Sequence, residues 1–254
     1  MKNILKELRQ RNKLLYWFGW FNFIVAVACI VMMPLENVQV MGVSRWLKPM
    51  KFYLSVTITS WTMAWLMHHL SGSKKVKIFS LLITFTLFFE NGLILLQAVR
   101  KTTSHFNTAT FFDAMVFQLM GAFIAVFTLT VVFITITFFT QKTFQITSPY
   151  LWGIRFGLLL FLFFSIEGGV MVAHLKHTIG GTDGVDGWPL LNWSKKYGDL
   201  RIAHFFGIHA LQAVPLFGWY VAKNNRQVYF FSLAFFLSLV LLMLQALQGI
   251  PLLF

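Results

Sequence analysis

Polar and apolar positions in this chain alternate on a long scale. Runs of about 20 mostly apolar residues, the length that crosses a bilayer as a helix, recur at about 14–33, 50–71, 78–99, 111–140, 150–174, 202–222 and 228–253. The fourth run is long enough to tilt or to protrude. No repeat of fixed period and no low-complexity linker interrupts the series. The pattern therefore predicts an all-α, polytopic integral membrane protein. We read it as one seven-helix bundle, a single transmembrane domain over 1–254. A basic arm, 1–13, precedes the first helix, and a polar functional loop spans 175–201.

Composition agrees with that reading. Apolar residues make up 57% of the chain and charged residues 11%, against about 25% charged in soluble domains. Thirty phenylalanines and nine tryptophans exceed what a soluble core of this size hides, so lipid solvates the outer surface. The net charge of +13 sits in short clusters between apolar runs. That placement suits lipid headgroups and topology signals and excludes a nucleic-acid partner. The single cysteine, Cys29, rules out an internal disulfide and CxxC redox chemistry. The start of the chain has the outline of a signal peptide. Because Ile30–Met33 prolong the apolar run and no A-x-A site follows, an uncleaved first transmembrane helix is expected.

Lys and Arg divide almost evenly between the two sets of loops. The dense N-terminal cluster favours a cell-membrane protein with a cytoplasmic N-terminus and an outside C-terminus. Alternation of direction then places the loops 34–49, 100–110 and 175–201 on one face. The other face has only short connectors, the basic arm and the interfacial pair His68 and His69. Function is expected on the face with the long loops.

Ionisable groups within the bilayer are costly and need a reason to be there. Glu90 lies nine residues before the end of its span, roughly 13 Å deep. Glu167 and His209 lie seven residues into theirs from the same face, roughly 10 Å deep. Gln248 is expected in the same slab, and Gln97 shares a helix face with Glu90 nearer the surface. Buried Glu, Gln and His can simply link helices, but their common depth points to a pocket. Glu90, Glu167 and His209 are the candidate catalytic group, expected to face one cavity with His204 at its mouth. Arg45, Lys51, Gln97, Arg201 and Gln248 are the candidate substrate-binding set. Lys48 adds positive charge on the same face.

Histidine is the commonest metal ligand. His105, His177, His204 and His209 form a candidate set for a divalent transition metal, completed by Glu90 or Glu167. Haem b between two helical histidines is the alternative. The spacing is not diagnostic: His204 and His209 are five apart, about 140° around a helix, unlike an H-E-x-x-H clamp. In IGGTDGVDG, Asp183 and Asp186 do not follow the EF-hand pattern, and the composition reads as a flexible surface lid. Asp199 suits the start of a helix. Asn192-Trp193-Ser194 has the form of a glycosylation sequon.

The residues SHFN, HTIGGTDG and GDLRIAHFFGIHALQ resemble signatures of an uncharacterised family of bacterial multi-pass membrane proteins, with a likeness running from KPMKF onward. That resemblance implies an inner-membrane helical protein and carries no activity. Two other seven-helix classes do not fit. The last span has no histidine for the HxxxH pair of ceramidase-type hydrolases, and no lysine for a retinal Schiff base. Three function classes stand at this point: a metal-dependent membrane enzyme acting on a lipid or small apolar substrate, a haem-bearing electron-transfer protein, and a transporter or receptor. Membrane lipids and a lipid or small-molecule ligand are the expected partners.

Overall fold

The computed structural model describes residues 4–184 and 187–252. Among them the chain is all-α apart from two short antiparallel strand pairs. The helices are α1 (Ile4–Arg11), α2 (Lys13–Leu35), α3 (Leu47–Met67), α4 (Ser73–Val99), α5 (Phe111–Thr140), α6 (Ser148–His174), α7 (Arg201–Ile208), α8 (Ala210–Tyr220) and α9 (Asn225–Leu247). The strands β1 (Gln39–Val40) and β2 (Val43–Ser44) form a hairpin, and β3 (Thr178–Ile179) pairs with β4 (Gly198–Asp199). Five helices, α2, α4, α5, α6 and α9, are long and apolar enough to cross a membrane. The protein is thus a multi-pass helical membrane protein.

Three elements differ from the expectation. The N-terminal arm is helical over α1, which half-buries its Arg11 and buries Leu8. The sixth run is broken at His209 into α7 and α8. The last helix ends at Leu247, where Gly249 takes φ 75 and its N–H, with that of Ile250, returns to Ala246 O and Gln245 O. A left-handed residue of this kind stops a helix, and glycine adopts it without a Cβ penalty.

The chain forms two compact units, Met1–Thr137 and Phe138–Phe254. Each contains the same three-helix motif. In the first, α2 runs into a strand-bearing loop, then α3, a tight connector and α4. In the second, α6 runs into a strand-bearing loop, then the broken helix α7–α8, a tight connector and α9. Sparse identities mark the correspondence. Tyr16 and Gly19 answer to Tyr150 and Gly153, and Trp65 to Trp219. Val76, Phe79, Ser80 and Leu81 answer to Val228, Phe231, Ser232 and Leu233. The cores agree as well: Thr57, Ser60 and Ala64 are buried like Leu211, Val214 and Gly218, and Leu87 and Ile94 like Leu239 and Ala246.

The packing of the two glycines is an independent check. A Cβ on Gly19 would fall 2.0 Å from the Trp61 indole. A Cβ on Gly153 would fall 2.9 Å from Val214 O and 3.1 Å from Pro215 Cα. The register set by Trp65 and Trp219 makes Pro215 the counterpart of Trp61, so both glycines serve the same close approach. Small residues let helix backbones approach where no hydrophobic force drives them together.

Arginines tie the helix ends. The last carbonyls of a helix lack internal partners, and a guanidinium donates to them and suits the negative end of the dipole. Arg11 Nη1 donates to Trp65 O at 3.2 Å, with its guanidinium 3.8 Å over the Trp65 ring. Arg45 Nη1 donates to Val99 O at 3.0 Å. Arg155, eight residues into α6, donates to Phe138 O at 3.0 Å and lies over the rings of Phe139 and Trp152.

Candidate functional site

The sequence-derived site residues divide between the units. Glu90, Gln97, His105, Arg45 and Lys51 belong to the first. Glu167, His177, Arg201, His204, His209 and Gln248 belong to the second.

In the first unit, α4 turns Glu90 and Asn91 inward together, at 4% and 1% exposure. Asn91 Nδ2 donates to Asn22 Oδ1 on α2 at 2.9 Å, and Asn22 Nδ2 donates to Phe18 O at 2.7 Å. This amide pair ties α2 to α4 across an apolar slab. Glu90 Oε2 and Asn91 Oδ1 have no hydrogen-bond partner. Lys48 Nζ donates to His105 Nδ1 at 3.1 Å, so that nitrogen is an acceptor and is not available to a metal. Lys51 is half-buried in the same turn as Lys48.

Two other candidates in this unit serve the fold. Arg45 pairs with Glu36 and with the end of α4. Glu36 lies in the loop, and its hydrogen bonds from Arg45 hold its carboxyl below the usual range. Gln97 Nε2 donates to Asp113 Oδ1 at 2.9 Å, and Arg100 pairs with both Gln97 and Asp113. Sequence reasoning missed Asp113 as a structural centre. Its signal was the T-x-x-D spacing of a capping box: the Asp113 N–H donates to Thr110 Oγ1 at 3.1 Å, and the Thr110 hydroxyl returns a bond to Asp113 Oδ2 at 2.7 Å.

In the second unit Glu167 is 2% exposed, and neither carboxyl oxygen has a partner. Beside it, His204 Nδ1 donates to Phe164 O at 2.8 Å, and the ring passes along α6 as far as Gly168, where a Cβ would meet its Cε1 at 3.4 Å. Gly207 permits this closeness, because a Cβ there would fall 2.2 Å from the Phe164 side chain. His209 occupies the break between α7 and α8, packs edge-on against Phe205 at 4.6 Å and donates through Nδ1 to Gln212 Oε1 at 3.0 Å. Gln248 is exposed at the end of α9 and not within the buried slab, because Gly249 ends the helix early.

In the loop after α6 two carboxylates each gather several donors. Asp183 accepts from His177 N at 2.9 Å, Thr178 N at 2.9 Å, the Thr178 hydroxyl at 2.7 Å and His177 Nδ1 at 2.5 Å. Asp199, 1% exposed, accepts from Ser194 N at 2.7 Å, Arg201 N at 3.0 Å and Arg201 Nη2 at 2.5 Å. It meets the first N–H of α7 from one residue before Leu200, which is the N-cap position. Arg201 also donates to Asn192 O at 2.5 Å. Its charge is therefore spent inside the loop. Asp186 lies outside the described residues.

These bonds make the loop sensitive to acid. Burial pushes the Asp183 carboxyl up, but the hydrogen bonds and charge of His177, with Thr178, outweigh it and hold it well below the usual carboxylate range. A depressed carboxyl contributes stability above its ordinary pKa, about 3.9, and loses it as pH falls through the folded value. Protease resistance of the 175–200 loop is expected to hold near neutrality and to decline below about pH 4. Asp183→Asn should weaken the loop at neutral pH and flatten that decline. An unchanged acid profile in the variant would remove Asp183 from this role.

Among the described residues no three His, Cys, Asp or Glu side chains gather closely enough to hold a metal. His105, His177, His204 and His209 each direct Nδ1 to a different neighbour, which leaves Nε2 as the nitrogen a metal or haem iron would take. Comparison with protein-family models, curated proteins and solved structures finds no match for this chain.

Proposed function

We propose that this protein is a seven-span membrane carrier or receptor that binds a proton or small cation at its buried carboxyl groups. Glu167 carries the reading, because both of its oxygens are buried without a partner. An ionised carboxylate there lacks any counter-charge and is strongly disfavoured. A bound proton or cation removes that cost. Glu90, with Oε2 unpartnered among the described residues, is a second buried carboxyl, in the first unit, at a position not equivalent to Glu167 in the repeat. The duplicated three-helix plan supports a carrier by analogy, since parallel repeats recur in transporters. The metal-enzyme reading is the less favoured one, because no three candidate ligands gather among the described residues.

The functional test uses vesicles containing the purified protein and an internal pH-sensitive dye. After a pH step, wild-type vesicles should equilibrate faster than empty ones. Glu167→Gln, which keeps the shape and removes the charge, should slow this at least tenfold while remaining folded. Wild-type flux equal to that of empty vesicles, or an unaffected variant, would sink the reading.

The seven-span topology adds α3 and the broken α7–α8 to the five long helices, with the N-terminus cytoplasmic. In a Cys29→Ser background, cysteines at Thr103 and Thr182 should react with an impermeant maleimide from one side. Cysteines at Ser71 and Thr143 should react only from the other. Labelling of Ser71 and Thr103 from the same side would mean that α3 does not cross.

A further inference from the structure

A second feature lies in the first unit, far along α4 from Glu90. A groove of about 460 Å³ opens where α2 and α4 begin. Its rim carries Arg11, Ser73 and Lys77, and its wall carries Leu14, Leu70 and Leu81. No acidic side chain lines it. The candidate membrane spans start at Lys13 and Ser73, which puts the mouth of the groove near headgroup level, with Leu81, one turn beyond Lys77 on α4, deepest toward the acyl chains. Lys77, Leu14 and Leu81 are exposed.

We propose that this groove is a binding site for an anionic phospholipid, with the headgroup phosphate at Lys77 and Ser73 and an acyl chain along Leu14 and Leu81. Charge selects the headgroup. Glu7 takes up much of the Arg11 charge through a 2.7 Å pair, leaving Lys77 as the principal cation of the rim, with Lys74 and Lys75 one turn earlier on α4. Gly72 caps α4 without a side-chain bond, so the positive end of the helix dipole adds to the same field. The volume lies within the range of small-molecule sites. The apolar wall accounts for a lipid in preference to a free anion.

The internal repeat supplies an independent comparison. In the second unit the counterpart of Lys77 is Tyr229, which packs edge-on against Trp152 at 5.3 Å and Phe156 at 5.5 Å. The counterpart of Trp65 is Trp219, which is covered by Tyr150 at 4.7 Å. The equivalent corner is thus closed by aromatic side chains. The position of Lys77 is thus taken by an aromatic side chain in the second unit, so the shared three-helix plan does not require a lysine there.

The test reconstitutes the protein with equal phosphatidylglycerol and phosphatidylcholine, then counts retained lipids by native mass spectrometry from mild detergent. Wild-type protein should retain one phosphatidylglycerol per chain, with a preference of about fivefold or more, the value of one interfacial lysine. Lys77→Glu should abolish the preference. Leu81→Trp, which fills the groove and keeps its charge, should release the lipid. Thermal melts report that both variants are folded, and Lys77→Gln serves if Lys77→Glu is not. Equal retention of the two lipids by wild type, or an unchanged preference in the lysine variants, would overturn the proposal. Displacement of the lipid by millimolar inorganic phosphate would overturn the lipid assignment and leave a free-phosphate site.

Discussion

Asp199→Ala is expected to destabilise the second unit by about 3–5 kcal/mol, the usual cost of removing one partner of a buried ion pair. The carboxylate is 1% exposed and accepts from Ser194 N, Arg201 N and the Arg201 guanidinium. Alanine leaves the Ser194 N–H buried without an acceptor and removes the partner of a guanidinium that is itself only 25% exposed. The strand pair β3–β4 runs through residue 199, so the loop should open locally first. Thermal unfolding in detergent would show the lost stability, and limited proteolysis would show new cleavage within 175–200. Asp199→Asn keeps one acceptor oxygen and should recover part of the loss. If Asp199→Ala melts within a degree of wild type, the loop is held by something other than this carboxylate.

A second large effect is expected at the close approach of α6 and α8. Gly153→Val would drive a side chain into Val214 O and Pro215 Cα, backbone atoms that cannot rotate aside. Overpacking of a tight seam costs about 1–3 kcal/mol and sometimes more. Gly19→Val is the matched control in the first unit. There the obstacle is the Trp61 indole, a side chain that can swing away after losing its 3.2 Å bond to Tyr16 O. Gly153→Val should therefore lower the melting temperature more than Gly19→Val. Equal shifts, or the reverse order, would mean that the nature of the obstacle, backbone against side chain, does not set the cost at these seams.

Much of this architecture was legible in the sequence because the bilayer imposes a length on every crossing. The seven apolar runs coincide with α2, α3, α4, α5, α6, α7–α8 and α9 to within a few residues at most ends. The break at His209 was not read from the sequence, because Gly207, two residues before it, and Pro215, six residues after it, both sit inside an otherwise unbroken apolar run. The repeat was hidden for a different reason. Its anchors are a handful of identities, and the loop between the first two helices is far longer in the second unit, so no fixed period survives.

The candidate site was half legible. Hydropathy alone finds Glu90 and Glu167, because a carboxyl in an apolar run stands out, and both are buried. The roles of Asp183, Asp199 and Arg45 were not legible. Glycine-rich composition around Asp183 reads as flexibility, while the order comes from one carboxylate gathering several N–H groups, a three-dimensional fact. For Arg45, Gln97 and Arg201 the sequence shows the charge or amide but not the partners Val99, Asp113 and Asn192, which other segments supply.

The arginine ties at the helix ends also set an order for biogenesis. A chain enters the membrane from its N-terminus, and a tie can close only when both of its ends have emerged. Arg11 waits for Trp65, which is 54 residues later, and Arg45 waits for Val99, again 54 residues later. The Arg11 tie can close once α3 has emerged, and the Arg45 tie only when α4 has been inserted. Arg155 reaches back to Phe138, only 17 residues earlier, so the end of α5 is fastened as soon as the first turns of α6 appear. The second unit begins its own insertion from a secured helix, and the first must hold two arginines in reserve while the translocon is still delivering their partners.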